Sequence, residues 1–187
     1  MDVTLTTRRL ILRPFRRDDA GRIARFLNNF AVAGKLSTVP YPYSETDALW
    51  WLDRQDAASP PSSTPFALEL PGEGMIGNCG FHPNAEGKAV LGYWLAEPFW
   101  NRGFMSEAVA AVIDWYFERT SAPTIRSGVF HFNKASLAVQ RKLGFTEIGS
   151  GTLHCLARQE HLRHIDTQLT RSRWVERSHL ATAREIQ

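Results

Sequence analysis

The chain has 187 residues, 43% hydrophobic and 22% charged, a composition that suits one globular domain with a real core. A formal net charge of +3 is too small to mark a nucleic-acid-binding or membrane-surface protein. Cys79 and Cys155 lie far apart with no C-x-x-C and no Cys/His cluster, so neither a zinc site nor a disulfide framework is indicated.

The opening "MDVTLTTRRLILRPFRRDD" has no apolar h-region, and no window approaches the ~18 apolar residues of a spanning helix, which predicts a cytoplasmic protein without a membrane partner. "RLILRPF" predicts a short strand with Leu10 and Leu12 on one face. Asp18 is placed to N-cap a helix whose apolar positions are Ile23, Phe26, Leu27 and Phe30. Ser44-Glu45-Thr46-Asp47 approximates a capping box and opens a second helix. "ASPPSSTP" (58–65) is short and joins incomplete segments, so it reads as a loop inside one domain. Strands are predicted at 66–70, 75–81 and 89–96, and their Pro-Gly and Glu-Gly turns suit an antiparallel meander. Apolar residues recur at helical spacing from Met105 to about Glu118, a strand follows at 124–132, and "NKASLAVQRKLGF" is a short helix stopping at Gly144. "HIDTQLTRSRW" (164–174) alternates as a last strand, and 175–187 is a polar tail. The order β-α-α-β-β-β-α-β-α-β-β predicts a mixed α/β domain at 6–174, one sheet with helices on its faces.

Gly72-Glu73-Gly74-Met75-Ile76-Gly77 matches G-x-G-x-x-G, but no helical period follows it, and a dinucleotide site needs a helix to begin there. "WNRGFMSEAV" (100–109) has the opposite context, with a strand upstream and a long helix downstream. A glycine at a helix start lets backbone N–H groups approach a phosphate, and Arg102 adds charge; the plain alternative is a strand-to-helix turn.

"GYWLAEPFWNRGFMSEAV" followed by "NKASLAVQRKLGF" resembles the acetyl-CoA core of the GCN5-related N-acetyltransferases (GNAT), in particular the ribosomal-protein N-terminal acetyltransferase (RimJ/RimL-type) branch. The "TTRRLILRPFRRDDA" opening and the late "HIDTQLTRSRW" are similar to that branch too. The resemblance implies a mostly antiparallel sheet with splayed central strands, and acetyl-CoA as co-substrate without a metal. Backbone groups near Trp94 and Leu95 would then meet the pantetheine, and those of Asn101, Arg102, Gly103, Phe104, Met105 and Ser106 the pyrophosphate. Asn133 matches the asparagine that touches the pantetheine arm, and is equally an N-cap.

The sequence also departs from the family. The loop begins with Trp100 and ends with Met105 instead of Gln/Arg and Gly/Ala. The tyrosine that often protonates the CoA thiolate lies seven positions after the asparagine, which is Gln140, and one relative's glutamate base lies five before it, which is Gly128. The branch's serine, three after the asparagine, is Ser136; it would assist the thiolate, or simply cap the helix. Candidates for the base are Glu69, His82, Glu97 and His131, with a structural role as the alternative for His131, while water alone is enough for a neutral-to-basic amine. Glu107 reads as a helix-dipole partner. Tyr41, Tyr43, Trp50 and Trp51 line an acceptor pocket or fill the core.

The function expected is transfer of an acetyl group from acetyl-CoA to a primary amine, a protein N-terminus or a small molecule with one amine, by a monomer or homodimer. The rival is a non-catalytic acyl-CoA-binding or sensing module on the same fold.

Overall fold

The computed structural model describes residues 3–55 and 59–177. Chain order gives β1 (Leu5–Thr6), β2 (Ile11–Arg13), α1 (Ala20–Leu27), α2 (Phe30–Ala33), α3 (Glu45–Leu52), β3 (Pro65–Leu70), β4 (Gly74–Pro83), β5 (Ala89–Leu95), α4 (Phe104–Arg119), β6 (Thr124–Phe130), α5 (Lys134–Lys142), β7 (Thr146–Cys155) and β8 (Glu160–Thr170). The strands form one sheet in the order β1-β2-β3-β4-β5-β6-β8-β7. Neighbours run antiparallel except β5 and β6, which are parallel.

Alternation along the strands sends side chains to two helical layers. On one face α1 and α3 pack Ile23, Leu27 and Ala48 against Ala67 and Met75. On the other, α4 buries Val109, Val112, Ile113 and Tyr116 over Leu12, Leu68, Ile76 and Phe81. The predicted alternation at Leu10 and Leu12 is met by burial to 1% and 0% exposure.

Several boundaries differ from expectation. Asp18 does not cap α1: a short 3-10 turn at Arg17–Asp19 precedes it, and the Asp19 carboxylate accepts the Arg16 N–H at 2.8 Å. Phe30 leaves the α1 stripe to begin α2 and is 41% exposed. The capping box forms as expected, with Ser44 accepting from the Asp47 N–H and Asp47 from the Ser44 N–H. The last strand runs Glu160–Thr170 instead of 164–174, and 171–177 is helical, so the described start of the polar tail continues a helix. Trp174 is buried there and donates to Asp114 at 2.7 Å.

A buried charged knot ties β2 to α1. The Arg13 guanidinium forms paired bonds to Asp19 at 2.8 and 2.9 Å, with both side chains 7% exposed, and also contacts Glu69 on β3. Burial alone would raise the Asp19 carboxyl, but Arg13 and the Arg16 backbone together hold it below the ordinary 3.8. A depressed folded value means this stabilisation is present above the unfolded value and is lost as pH falls through the folded one. Asp19→Ala should therefore cost about 3–5 kcal/mol at neutral pH by stranding Arg13. The penalty, read from urea melts, should shrink as wild type and variant are compared at progressively more acidic pH.

Candidate functional site

The site is an opening between strands. β5 and β6 are in register with Val90 opposite Arg126, and among the described residues no further pair follows, so the strands part toward the C-terminal end of β5. A cavity of about 980 Å³ fills the gap and reaches both faces of the sheet. A hydrogen-bond chain holds the gap at its apex: Thr167 on β8 donates to the Gln140 carbonyl at 2.7 Å, the Gln140 amide to Ser127 at 2.9 Å, and Ser127 to the Leu91 carbonyl at 2.9 Å. Gln140 is 1% exposed. The position where the resemblance leads one to look for a thiolate acid is thus occupied by a structural amide.

A tyrosine is nonetheless at hand. Tyr93 sits on β5, one residue before Trp94 and so on the α5 side of the strand, and its phenolic oxygen lies 2.8 Å from the Ser136 hydroxyl. Burial pushes the Tyr93 phenol up to about 12, against hydrogen bonds with Ser136 and Gln140, so it stays protonated at neutral pH. Asn133 caps α5 by accepting the Ser136 N–H at 3.3 Å. Tyr93, Asn133 and Ser136 all line the cavity.

At one mouth lies the 100–106 loop. Asn101 and Gly103 adopt left-handed φ values of 59° and 78°. That geometry suits glycine at 103, where a Cβ would also fall 3.3 Å from the Arg9 guanidinium. No side chain caps α4, leaving the N–H groups of its first turn available toward the cavity, which Phe104, Met105 and Ser106 line. Trp94, Leu95, Asn101 and Gly103 line it too. Arg102 does not: its guanidinium lies 4.8 Å from the centre of the Phe104 ring, outside the cavity wall. Arg9 sits 4.5 Å from the same ring and donates to the Arg102 carbonyl at 2.9 Å. Glu107 accepts from the Thr7 hydroxyl, the Arg9 N–H and Arg9 Nε at 2.7, 2.8 and 2.7 Å. These bonds, against partial burial, hold its carboxyl below the ordinary value.

The expected bases scatter. Glu69 is held by Arg13 and lies off the cavity wall. His131 is exposed beside the Arg163 carbonyl, and Glu97 accepts from Asn29 at 2.6 Å; both lie off the wall. His82 does reach it, its ring beside Gly92. Tyr43 and Trp51 go to the core, whereas Tyr41 and Trp50 are 45% and 58% exposed, and none of the four lines the cavity. The wall on the α1–α3 side comes instead from Val32, Lys35, Leu36, Phe130, His164 and Asp166. His164 and Asp166 alternate on β8, the pattern that could have flagged them. Lys35 stands over the Trp100 ring at 3.9 Å, and burial lowers its ammonium.

The site is thus a cleft between parted parallel strands with an open helix start at its mouth. The sequence model of the acetyltransferase (GNAT) domain matches residues 9–146, and the chain belongs to that family. It is 28% identical over 153 residues to an uncharacterized N-acetyltransferase, p20, of Bacillus licheniformis, covering 78% of this chain and 84% of that one. The GNAT-family acetyltransferase structure of Bacillus anthracis superposes with a TM-score of 0.76 at 19% identity, covering 90% and 98% of the two chains. The ribosomal-protein-S5-alanine acetyltransferase of Vibrio fischeri gives 0.76 at 21%, covering 92% and 99%. RimJ of Mycobacterium smegmatis, solved with CoA-disulfide, gives 0.73 at 21%, covering 91% and 87%. The protein is an N-acetyltransferase of the GNAT fold. Among the described residues no helix is long and apolar enough to cross a membrane.

The amide chain at the apex makes a direct prediction. Gln140→Leu removes two of the three bonds, leaving the Thr167 hydroxyl without its acceptor and Ser127 with only its bond to the Leu91 carbonyl, at about 1–3 kcal/mol for a group left unsatisfied. Chemical denaturation should show the loss, with a larger effect than Ser136→Ala.

Proposed function

We propose that the protein binds acetyl-CoA in the cleft and transfers the acetyl group to a primary amine carrying an apolar body, a peptide N-terminus or a small amine, in a ternary complex. The observation that carries this reading is the parting of β5 and β6 beside an uncapped α4 start. The donor set fits a CoA: three successive N–H groups at Phe104, Met105 and Ser106 suit a pyrophosphate, helped by the positive end of the helix. Backbone groups on the free edge of β5 near Trp94 and Leu95 suit the amide-bearing arm, and an N–H there would polarise the thioester carbonyl. The Leu95 carbonyl already accepts from the Trp100 indole at 2.6 Å. Ser136 donates a hydrogen bond toward the departing sulfur, and Tyr93 in turn supports the Ser136 hydroxyl.

The acceptor class follows from the opposite wall. Val32, Leu36 and Phe130 offer apolar contact, and Lys35 adds a cation. The acidic positions of α3 do not supply a polycation site: Glu45 is exposed, Asp47 is bound to Ser44 and Asp53 to Arg17, while Asp56 lies outside the described residues. The same wall sets the Lys35 ammonium against the single carboxylate of Asp166, so it offers a multiply charged polyamine no surplus of carboxylates in exchange for its water.

Calorimetry with acetyl-CoA should separate loop backbone from loop charge. Gly103→Val, forced out of φ 78°, should weaken binding by at least tenfold, whereas Arg102→Ala should change it by less than about threefold because its guanidinium rests on Phe104. Equal losses in both would return the role to the arginine. Ser136→Ala should lower kcat by ~10²-fold with acetyl-CoA affinity retained. Tyr93→Phe should lower kcat less, since Ser136 keeps its hydroxyl. Initial rates on N-terminal peptides and aromatic amines should exceed those on spermidine. A binding protein without thiol release on any amine would instead be the sensing module.

A further inference from the structure

We propose that His164, oriented by Asp166, takes the proton from the acceptor amine; the assignment rests on the acetyl-transfer reading above. The two residues lie two apart on β8, hence on one face, and both line the cavity. His164 Nδ1 is 3.0 Å from Asp166 Oδ1. On the neighbouring β6, Phe130 pairs with His164 and Gly128 with Asp166. Gly128 gives the imidazole its place. A Cβ there would fall 2.1 Å from His164 Cε1 and 2.7 Å from Nε2, closer than atoms pack. Phe130 closes the side of the ring edge-on, with centroids 5.8 Å apart. The ring is therefore pinned by a carboxylate on one edge, an aromatic beside it and a bare backbone below, and only 20% of the side chain is exposed.

That environment has a chemical meaning. A carboxylate accepting from Nδ1–H selects the tautomer whose Nε2 carries the lone pair. Other basic groups are placed worse. Glu69 is committed to Arg13, while His131 and Glu97 are off the wall. His82 reaches the wall, but among the described residues no carboxylate orients it. Among the residues paired with His164 across the sheet none is charged. Its own strand brings Asp166, β6 and β7 set uncharged Phe130, Gly128 and Gly151 beside it, and His82, Lys35, Glu86, Lys88, Arg126 and Lys142 stand elsewhere on the cavity wall.

The proton count closes without a further reagent. The acceptor arrives as an ammonium, and His164 Nε2 removes one proton and passes it to solvent. The freed lone pair forms the C–N bond to the acetyl carbon and the C–S bond breaks. The nitrogen loses a second proton as the amide forms, and the CoA sulfur ends as a thiol by taking up one proton. The net release is a single proton.

The test begins without turnover. Nitrogen NMR of the imidazole at neutral pH should show His164 as the Nδ1–H tautomer, and Asp166→Asn should remove that preference. The opposite tautomer in the wild type would overturn the proposal whether or not the enzyme is active. In kinetics, His164→Gln should lower kcat/KM for the amine by roughly 100-fold or more with calorimetric acetyl-CoA affinity unchanged. The variant should approach wild type as pH rises and the amine arrives uncharged. Gly128→Ala, which evicts the ring, should reproduce the loss while leaving His164 in the sequence. Full activity in either variant, with the low-pH limb of the rate profile intact, would sink the assignment. Wild-type protein that binds acetyl-CoA and acetylates no amine would sink the function and not the geometry of the pair.

Discussion

Parallel strands do not part at a bonded edge without something holding them apart, because each lost backbone bond leaves a donor or acceptor that must be paired. Here the Thr167–Gln140–Ser127 chain takes that role. Ser127 satisfies the Leu91 carbonyl through its side chain where the next backbone pair would have formed, and Gln140 anchors Ser127 to β8. β5 is then free to lean toward β4 while β6 stays with β8. The cleft, its two faces and the free strand edge all descend from this substitution of side-chain bonds for ladder bonds.

The cleft also separates two kinds of chemistry by the plainest rule of a β-strand, alternation. Tyr93 points toward α5 and Ser136, while Gly92 and Trp94, its neighbours in sequence, belong with Gly80 and Asn78 on the other face. On β6 the same rule sends Ser127 toward Gln140 and leaves Gly128 beneath His164. A hydroxyl-bearing side and an imidazole-bearing side thus face each other through the gap. The helix start is tuned in parallel. Glu107 is occupied by Thr7 and Arg9, so its charge is neutralised locally instead of opposing an anion at the first turn of α4.

Much of this architecture is legible in the sequence, because it rests on local signals. The capping box at Ser44, the strand alternation around Leu10 and the amphipathic run of α4 each declare themselves within a few residues. The loop at 100–106 is visible from a glycine ahead of a helix. What the sequence hides is pairing across distance. Nothing near Gln140 announces that Ser127 and Thr167 will enclose it, so its departure from the family tyrosine reads as a missing acid. Tyr93 lies inside a quoted motif yet is invisible until the strand's facing is known. Glu69 shows the converse: a carboxylate on a strand looks available until Arg13 arrives from another. Tyr41 and Trp50 read equally as pocket or core; in the fold neither lines the cavity, whose α1–α3 side is walled by the α2 turn and two late strands.

The indole of Trp100 has a place in two structures at once. Its N–H holds the Leu95 carbonyl at the free end of β5, its face carries the Lys35 ammonium, and its backbone opens the loop before α4. One ring therefore links the end of β5, the loop before α4 and the Lys35 side of the cavity. Neither the 100–106 loop nor the Lys35 side of the cavity can be repacked without disturbing that ring.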